Sequence, residues 1–284
     1  MSSVRSDAVV PFPTAAEQAI FDRYREPLPI RSVEWNQTLE TLLSHRSVRA
    51  FLPNLLAAGT IETLVAAAQS APTSSNIQAW SVVAVEDEDR KARLSRIAGE
   101  QRHINDAPLF LVWVADLARA DHLAGQRGVR LEGADFTESF LLASIDAALA
   151  AQNAVVAAES LGLGTVYIGA LRNNPEAVAA ELGLPDKAYA VFGLVVGHPD
   201  PERQAAVKPR LPQSAVLHRD RYSLDGQVDA IARHDQHIAT FRNEQRLSPQ
   251  SWCDLAVDRL RVVEALKGRH LLRESLGRLG FQLR

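Results

Sequence analysis

Residues 44–51, SHRSVRAF, place His45, Arg46, Ser47 and Arg49 within five positions. Two guanidiniums flanking a hydroxyl make a donor set suited to a phosphate: arginine offers charge-assisted, partly bidentate bonds, and the hydroxyl completes the shell. The same cations at a helix C-terminus equally favour the helix dipole. A second basic pair, Lys208 and Arg210 in VKPRLP, is separated by a proline that stiffens the loop. Two fixed cations suit an anion, and a solvated loop is the alternative. Only four of the 31 basic side chains are lysines, which gives Lys208 weight.

Three further stretches are rich in donors and acceptors. APTSSNIQAW carries Thr73, Ser74 and Ser75, followed by Asn76 and Gln78. Such a turn at a strand mouth can bind a polar ligand edge, or it can simply be a turn. GEQRHINDAP places Gln101 and His103 just before an apolar run, and an amide that both donates and accepts suits a heterocycle. TVYIGALRNN holds Tyr167, Ile168, Gly169 and Ala170 at the end of an apolar strand. Glycine there admits close backbone approach to a flat ligand, or serves sheet packing. His234 and His237 in HDQH share one helix side with no third ligand evident, so no metal is expected and both are read as solvent-facing. The single cysteine, Cys253, excludes an intrachain disulfide and a thiolate cluster, and beside Trp252 it reads as structural. The chain has neither a phosphate-binding P-loop nor a G-x-S-x-G elbow.

These groups need elements to hold them. VEWNQTLETLL predicts an amphipathic helix ending near Ser44, and TIETLVAAAQSAP one with Thr60 as N-cap and Pro72 as its stop. Residues 79–87 and 107–117 are β-branched apolar runs expected as buried strands, with a short helix at RKARLSRIAG between them. A long helix over 138–161 precedes a strand GTVYIGAL. A helix with Asn174 as N-cap, Pro175 at N1 and Gly183 at its end follows, and then a strand in AYAVFGLVVGHPD. One amphipathic helix is expected around 252–276. The glycines of GLGTVYIGAL open a strand rather than a helix, which disfavours a dinucleotide fingerprint and leaves a mixed sheet flanked by helices. The chain divides into an N-terminal extension (1–35, helical near 14–25), a core (36–225) and a C-terminal excursion with a helix (226–284).

At 46% hydrophobic and 23% charged, the 284 residues describe a globular chain. A net charge of -3 provides no field for nucleic acid or an anionic membrane. The N-terminus has no continuous apolar h-region, so no signal peptide is expected and a cytoplasmic location fits. The long helix is apolar around nearly its whole circumference, yet Asp146, Gln152, Asn153 and Glu159 are costly at bilayer depth. It is expected to be a core helix buried on all sides, completed by a second subunit.

Taken in order, HRSVRAF, APTSSNIQ, GEQRHINDAP, AQNAVVAAESLGLGTVYIGALRNNPEAV, FGLVVGHPD and KPRLP resemble the NADPH-dependent, FMN-containing nitroreductases. The nearest branch holds the oxygen-insensitive enzymes of enterobacteria and the flavin reductase of luminous bacteria. The likeness is strong over 36–225 and weak elsewhere. It implies an α+β homodimer, with FMN at the subunit interface and helix 138–161 in the dimer core. By position, Arg46, Ser47, Lys208 and Arg210 would meet the FMN phosphate, and Arg49 and Gln101 the isoalloxazine. His45, Thr73, Ser74, Ser75 and the backbone of Tyr167, Ile168, Gly169 and Ala170 would line the rest. Ala170 stands where the family often has a second glycine. ATFRNEQRLSPQSW lies where relatives read the NADPH 2′-phosphate, which makes Arg242 and Arg246 candidates. The implied activity is ping-pong reduction of nitroaromatics or quinones by NAD(P)H, with no side chain as general acid. A flavin reductase serving a partner, and a flavin-binding sensor without turnover, are the alternatives.

Overall fold

The continuous apolar run LFLVWVA has no polar face to give to water, so it must be covered on both sides. In the computed structural model, which describes residues 14–28 and 34–284, it forms β2 (Leu109–Asp116), buried at every position from Leu109 to Ala115. β2 lies second in a four-stranded sheet ordered β1 (Trp80–Val85), β2, β4 (Ala188–Gly197), β3 (Gly164–Ile168). Alternate side chains serve opposite faces. Leu109, Leu111 and Trp113 join Leu194 and Val196 in one core, while Phe110 and Val112 join Val195 in the other.

Helices α3 (Thr60–Gln69) and α7 (Thr137–Ser160) cover the first face, and alanines 150, 151, 154 and 158 let α7 approach closely. The second face carries α4 (Glu88–Ile97), α5 (Arg102–Asp106) and α8 (Pro175–Leu182). Asn174 caps α8 through a bond from the Ala177 amide (3.2 Å), with Pro175 at N1 and Gly183 at its end, as the sequence predicts. These elements belong to one of two compact units, comprising Arg46–Ala205 and Ala256–Arg284.

The mixed sheet expected from sequence is realised differently, since every pair of the four strands is antiparallel. Val85 at the end of β1 faces Phe110 at the start of β2, so α4 and α5 return the chain to the end it left, which forces antiparallel pairing. The parallel component among the described residues is a single bridge, Ser47 to Thr165, beside β3. Three local expectations shift as well. Thr60 opens α3 but Gly59 is its cap, and the Thr60 hydroxyl donates to Ala57 O (2.7 Å). The strand GTVYIGAL ends at Ile168, and Gly169–Asn173 coils into a 3-10 turn. The single helix over 252–276 is broken into α10 (Trp252–Arg261), two 3-10 turns and α11 (Leu272–Arg278), first because Val262 is extended (φ -134°, ψ 154°) and again because Lys267 and Gly268 adopt positive φ (52° and 86°).

α7 is not buried on all sides within one chain. Ala143, Asp146, Ala147, Ala150, Ala151, Ala154, Val155 and Ala158 face inward, whereas Leu141, Ile145 and Leu149 are 51, 48 and 40% exposed. Those three positions, four residues apart, make one apolar stripe.

The other unit comprises the described residues up to His45 together with Ala206–Leu255. The capping box Thr14–Glu17 starts α1 (Ala15–Tyr24), the helical part expected of the extension; its remaining residues 1–13 and 29–33 lie outside the described residues. α2 (Gln37–Leu43) stops at Ser44 as predicted. Beyond the helix side suggested at HDQH, α9 (Gln227–Glu244) was not expected as an element: its inward stripe is Ala230, His234, Ile238 and Phe241, thin in apolar residues but helical in spacing. His234 is buried rather than solvent-facing, with its ring edge-on to Trp252 at 5.3 Å.

Candidate functional site

The arginine-rich segment is extended rather than helical and lies along β3. Ser47 bridges Thr165, and the Val48 amide donates to Thr165 O at 2.9 Å. A Cβ on Gly164 would sit 2.9 Å from three Val48 carbons, so glycine there lets the segment lie this close. Val48 and Phe51 are anchored in the core while Arg46 and Arg49 are exposed, a three-residue spacing that belongs to an extended but irregular segment joined to its neighbours by isolated bridges rather than to a regular strand. The Arg49 charge acts on His103. Burial, and then the Arg49 charge, hold His103 below the ordinary histidine range, with Asp106 opposing. His103 Nε2 is buried and finds no hydrogen-bond partner among the described residues. Ser95 donates to the Gln101 carbonyl (3.0 Å), which fixes the backbone from which the Gln101 amide projects.

At the end of β3, the Tyr167 ring stacks edge-on against Phe192 (5.0 Å) and its hydroxyl lies 3.4 Å from Gln152 Oε1. Burial, assisted by the Glu159 charge, raises the Tyr167 pKa, so the phenol stays protonated. A Cβ on Gly169 would meet Arg172 Nη2 at 3.2 Å. Arg172 Nη1 donates to the carbonyl of Val191 (2.6 Å), the residue β4 inserts between Ala190 and Phe192 where its register with β2 shifts.

The polar turn 73–78 hangs from one carboxylate. Asp146 of α7, 2% exposed, accepts from Thr73 Oγ1 (2.6 Å), Ser74 N (3.2 Å) and Ala79 N (3.1 Å). Thr73 Oγ1 accepts from Gln78 N in return (2.9 Å). Its hydroxyl therefore serves the turn, and Ser74 and Ser75 are the exposed members. Ser75, Asn76 and Gln78 all carry positive φ (50°, 55° and 53°), a strained arrangement of the kind concentrated at ligand sites.

His45, Lys208 and Arg210 lie in the other unit, where the buried Arg23 of α1 joins them. Its guanidinium donates to the His45 and Lys208 carbonyls (2.6 and 3.1 Å). Arg242 Nε donates to Ser248 O (2.6 Å), and Arg246 is exposed in the turn after α9.

Sequence patterns do not mark Asp146 or Arg23 as positioning groups, although a carboxylate in the middle of an alanine-rich helix is a usable signal. Arg172, Arg259 and Arg269 are gathered only by the fold. Burial, and then the charges of Arg172 and Arg259, hold Arg269 below its usual range, and its Nε donates to Asn173 Oδ1 (2.9 Å).

The donor set fits a phosphorylated heteroaromatic cofactor. Guanidiniums and a hydroxyl are chemically suited to an anion, while Gln101, the His103 nitrogen without a partner among the described residues and the glycine-containing turn after β3 are suited to a flat polar edge.

Comparisons with known proteins agree with this reading. Residues 42–198 match the model described as the nitroreductase family, and residues 208–284 match that of its C-terminal domain. An FMN reductase (NADPH) of Bacillus subtilis is 42% identical over 224 residues, which are 77% of this chain and 89% of that protein. The structure of NfrA2 from B. megaterium superposes with a TM-score of 0.82 at 35% identity, covering 88% of this chain and 100% of that one. An NADPH:FMN oxidoreductase of Vibrio harveyi complexed with NAD+ gives a TM-score of 0.78 at 34% identity and the same coverages.

Proposed function

This chain belongs to the nitroreductase family, and from that membership we propose that it is an NAD(P)H-dependent FMN oxidoreductase. The observation that carries the site assignment is the Arg46–Arg49 segment laid on β3, with the charge of Arg49 acting on His103, whose buried Nε2 has no hydrogen-bond partner among the described residues. Arg46, Ser47, Lys208 and Arg210 are the proposed phosphate ligands. Arg49, Gln101 and the backbone of Tyr167–Ala170 are those of the ring, with His45, Ser74 and Ser75 at its margins and Thr73 supporting the turn. Arg242 and Arg246 are the candidates for the 2′-phosphate of NADPH.

When bound, FMN supplies the two-electron hydride chemistry. The chain orients the ring and sets its electrostatics. With FMN bound, Arg49 would place a positive charge near the ring and so favour its reduced, electron-rich form, an effect that grows as the site excludes water. No side chain is assigned as general acid, and water supplies protons. The nicotinamide donor and then a nitroaromatic or quinone would use the same site in turn, which would give ping-pong kinetics. A flavin reductase role, releasing reduced FMN, is favoured by the name of the B. subtilis relative; tight retention of flavin excludes it. The exposed Leu141–Ile145–Leu149 stripe of α7 is the proposed contact with a second copy. Light scattering is expected to report a dimer that Ile145→Lys converts to monomer, and a monomeric wild type removes this assignment. A cytoplasmic location completes the reading, and cell fractionation tests it.

The purified protein is expected to be yellow, and its flavin band to bleach under anaerobic titration with NADPH and recover on adding a quinone. A colourless preparation that stays apo with excess FMN rejects the proposal. Arg49→Ala should keep stoichiometric FMN yet slow its reduction on the order of 10²-fold in stopped flow. An unchanged rate removes the role given to Arg49.

A further inference from the structure

Arg23 sits in the last turn of α1 and is 5% exposed, a rare degree of burial for a charged side chain. Its Nη2 donates to Leu43 O (2.8 Å) and His45 O (2.6 Å), and its Nη1 to Lys208 O (3.1 Å). Its own carbonyl accepts the Arg210 amide at 2.9 Å. One planar guanidinium thus fixes the backbone at both His45 and Lys208, and one peptide group fixes Arg210. The rigid fork of arginine suits this bridging, because a lysine ammonium lacks its planar geometry. The Lys208 carbonyl takes a second bond, from Arg210 Nη1 (3.3 Å), which ties the Arg210 side chain to the same stretch of backbone. The buried His234 of α9 lies near the Arg210 backbone as well.

The family matches cover residues 42–198 and 208–284. Leu43, His45, Lys208 and Arg210 lie inside them, whereas Arg23 and all of α1 lie outside. A segment without counterpart in the matched regions therefore grips the loop that bears two proposed phosphate ligands.

We propose that Arg23 is a positioning residue for anion recognition: through α1 it holds the Lys208–Arg210 loop and the His45 backbone in the arrangement that binds the phosphate of FMN. This rests on the FMN reading above. Lost bonds to three carbonyls let the loop relax, so cations that were held in place must be ordered at the moment of binding. The effect should fall on the phosphate and spare the ring. A brace that served only folding would weaken all flavin binding alike.

The test titrates the full-length chain with FMN and with riboflavin, which lacks the phosphate, following flavin fluorescence, and records the melting temperature. Wild type is expected to prefer FMN. Arg23→Met should lose roughly tenfold or more in FMN affinity while riboflavin affinity changes by less than about twofold. Arg23→Lys should fall between. An unchanged FMN-to-riboflavin ratio in folded Arg23→Met overturns the proposal, and if that variant does not fold, the same ratio in Arg23→Lys decides. A wild type that binds FMN no better than riboflavin is a different failure. It removes the phosphate reading itself, and the brace with it.

Discussion

Asp146→Ala is expected to destabilise the protein by about 3–5 kcal/mol and to abolish tight flavin binding. The carboxylate is 2% exposed and accepts from Thr73 Oγ1, Ser74 N and Ala79 N. Truncation removes the acceptor and leaves the Ala79 amide, on a residue itself 2% exposed, without a partner. Each buried donor left unpaired costs roughly 1–3 kcal/mol, and the void adds to that. The functional loss has a separate origin. Ser75, Asn76 and Gln78 hold left-handed conformations that cost about 1–2 kcal/mol each, and they persist only while the turn is anchored at both ends. Asp146→Asn preserves volume but turns an NH2 group toward donors, so it should retain a large part of the defect. Denaturant titration and flavin content measure the two effects. A loss in stability below about 1 kcal/mol for Asp146→Ala contradicts the anchoring role.

Gly193→Ala should be comparably damaging for a steric reason. A Cβ at Gly193 would stand 2.2 and 2.3 Å from Phe110 Cζ and Cε2, and 3.3 Å from Leu171 Cδ1. Phe110 and Leu171 are both fully buried, so the ring has no vacant volume to enter. Overpacking of this kind costs about 3 kcal/mol, the upper end of the usual range, and more if the strand is displaced. Gly193 pairs with Ile168, the residue before the Gly169–Asn173 turn, so any displacement of β4 passes into the backbone proposed to face the flavin. The steric account makes a second demand. Phe110→Leu, mildly destabilising alone, should recover part of the loss when combined with Gly193→Ala. Simple addition of the two effects in thermal unfolding speaks against the clash.

The division between what the linear order states and what folding decides follows the range of the interactions involved. Apolar runs longer than a turn, cap residues such as Asn174 and the clustered Arg46, Ser47 and Arg49 are local features, and β1, β2, β4, α8 and the cationic segment of the proposed site are all written in them. Thin stripes were not. α9 packs through His234 as well as Ala230, Ile238 and Phe241, and hydropathy alone does not count a histidine as core. The break at Lys267–Gly268 did have a local signal, a glycine behind a polar residue, which the flanking helical periodicity outweighed.

The sequence by itself determined the kind of protein: a helix-flanked sheet, a set of anion and heterocycle donors, and through their order a family. Tertiary structure alone decided which of those polar groups spend their bonds inward and which face out. Thr73 is committed to Asp146, and Arg23, silent in the sequence, grips two segments far apart along the chain. A side chain's type states what it can bond, but its partner is set by contacts between residues remote in sequence. Burial then makes each such pairing obligatory, because a polar group withdrawn from water must find its partner in the fold.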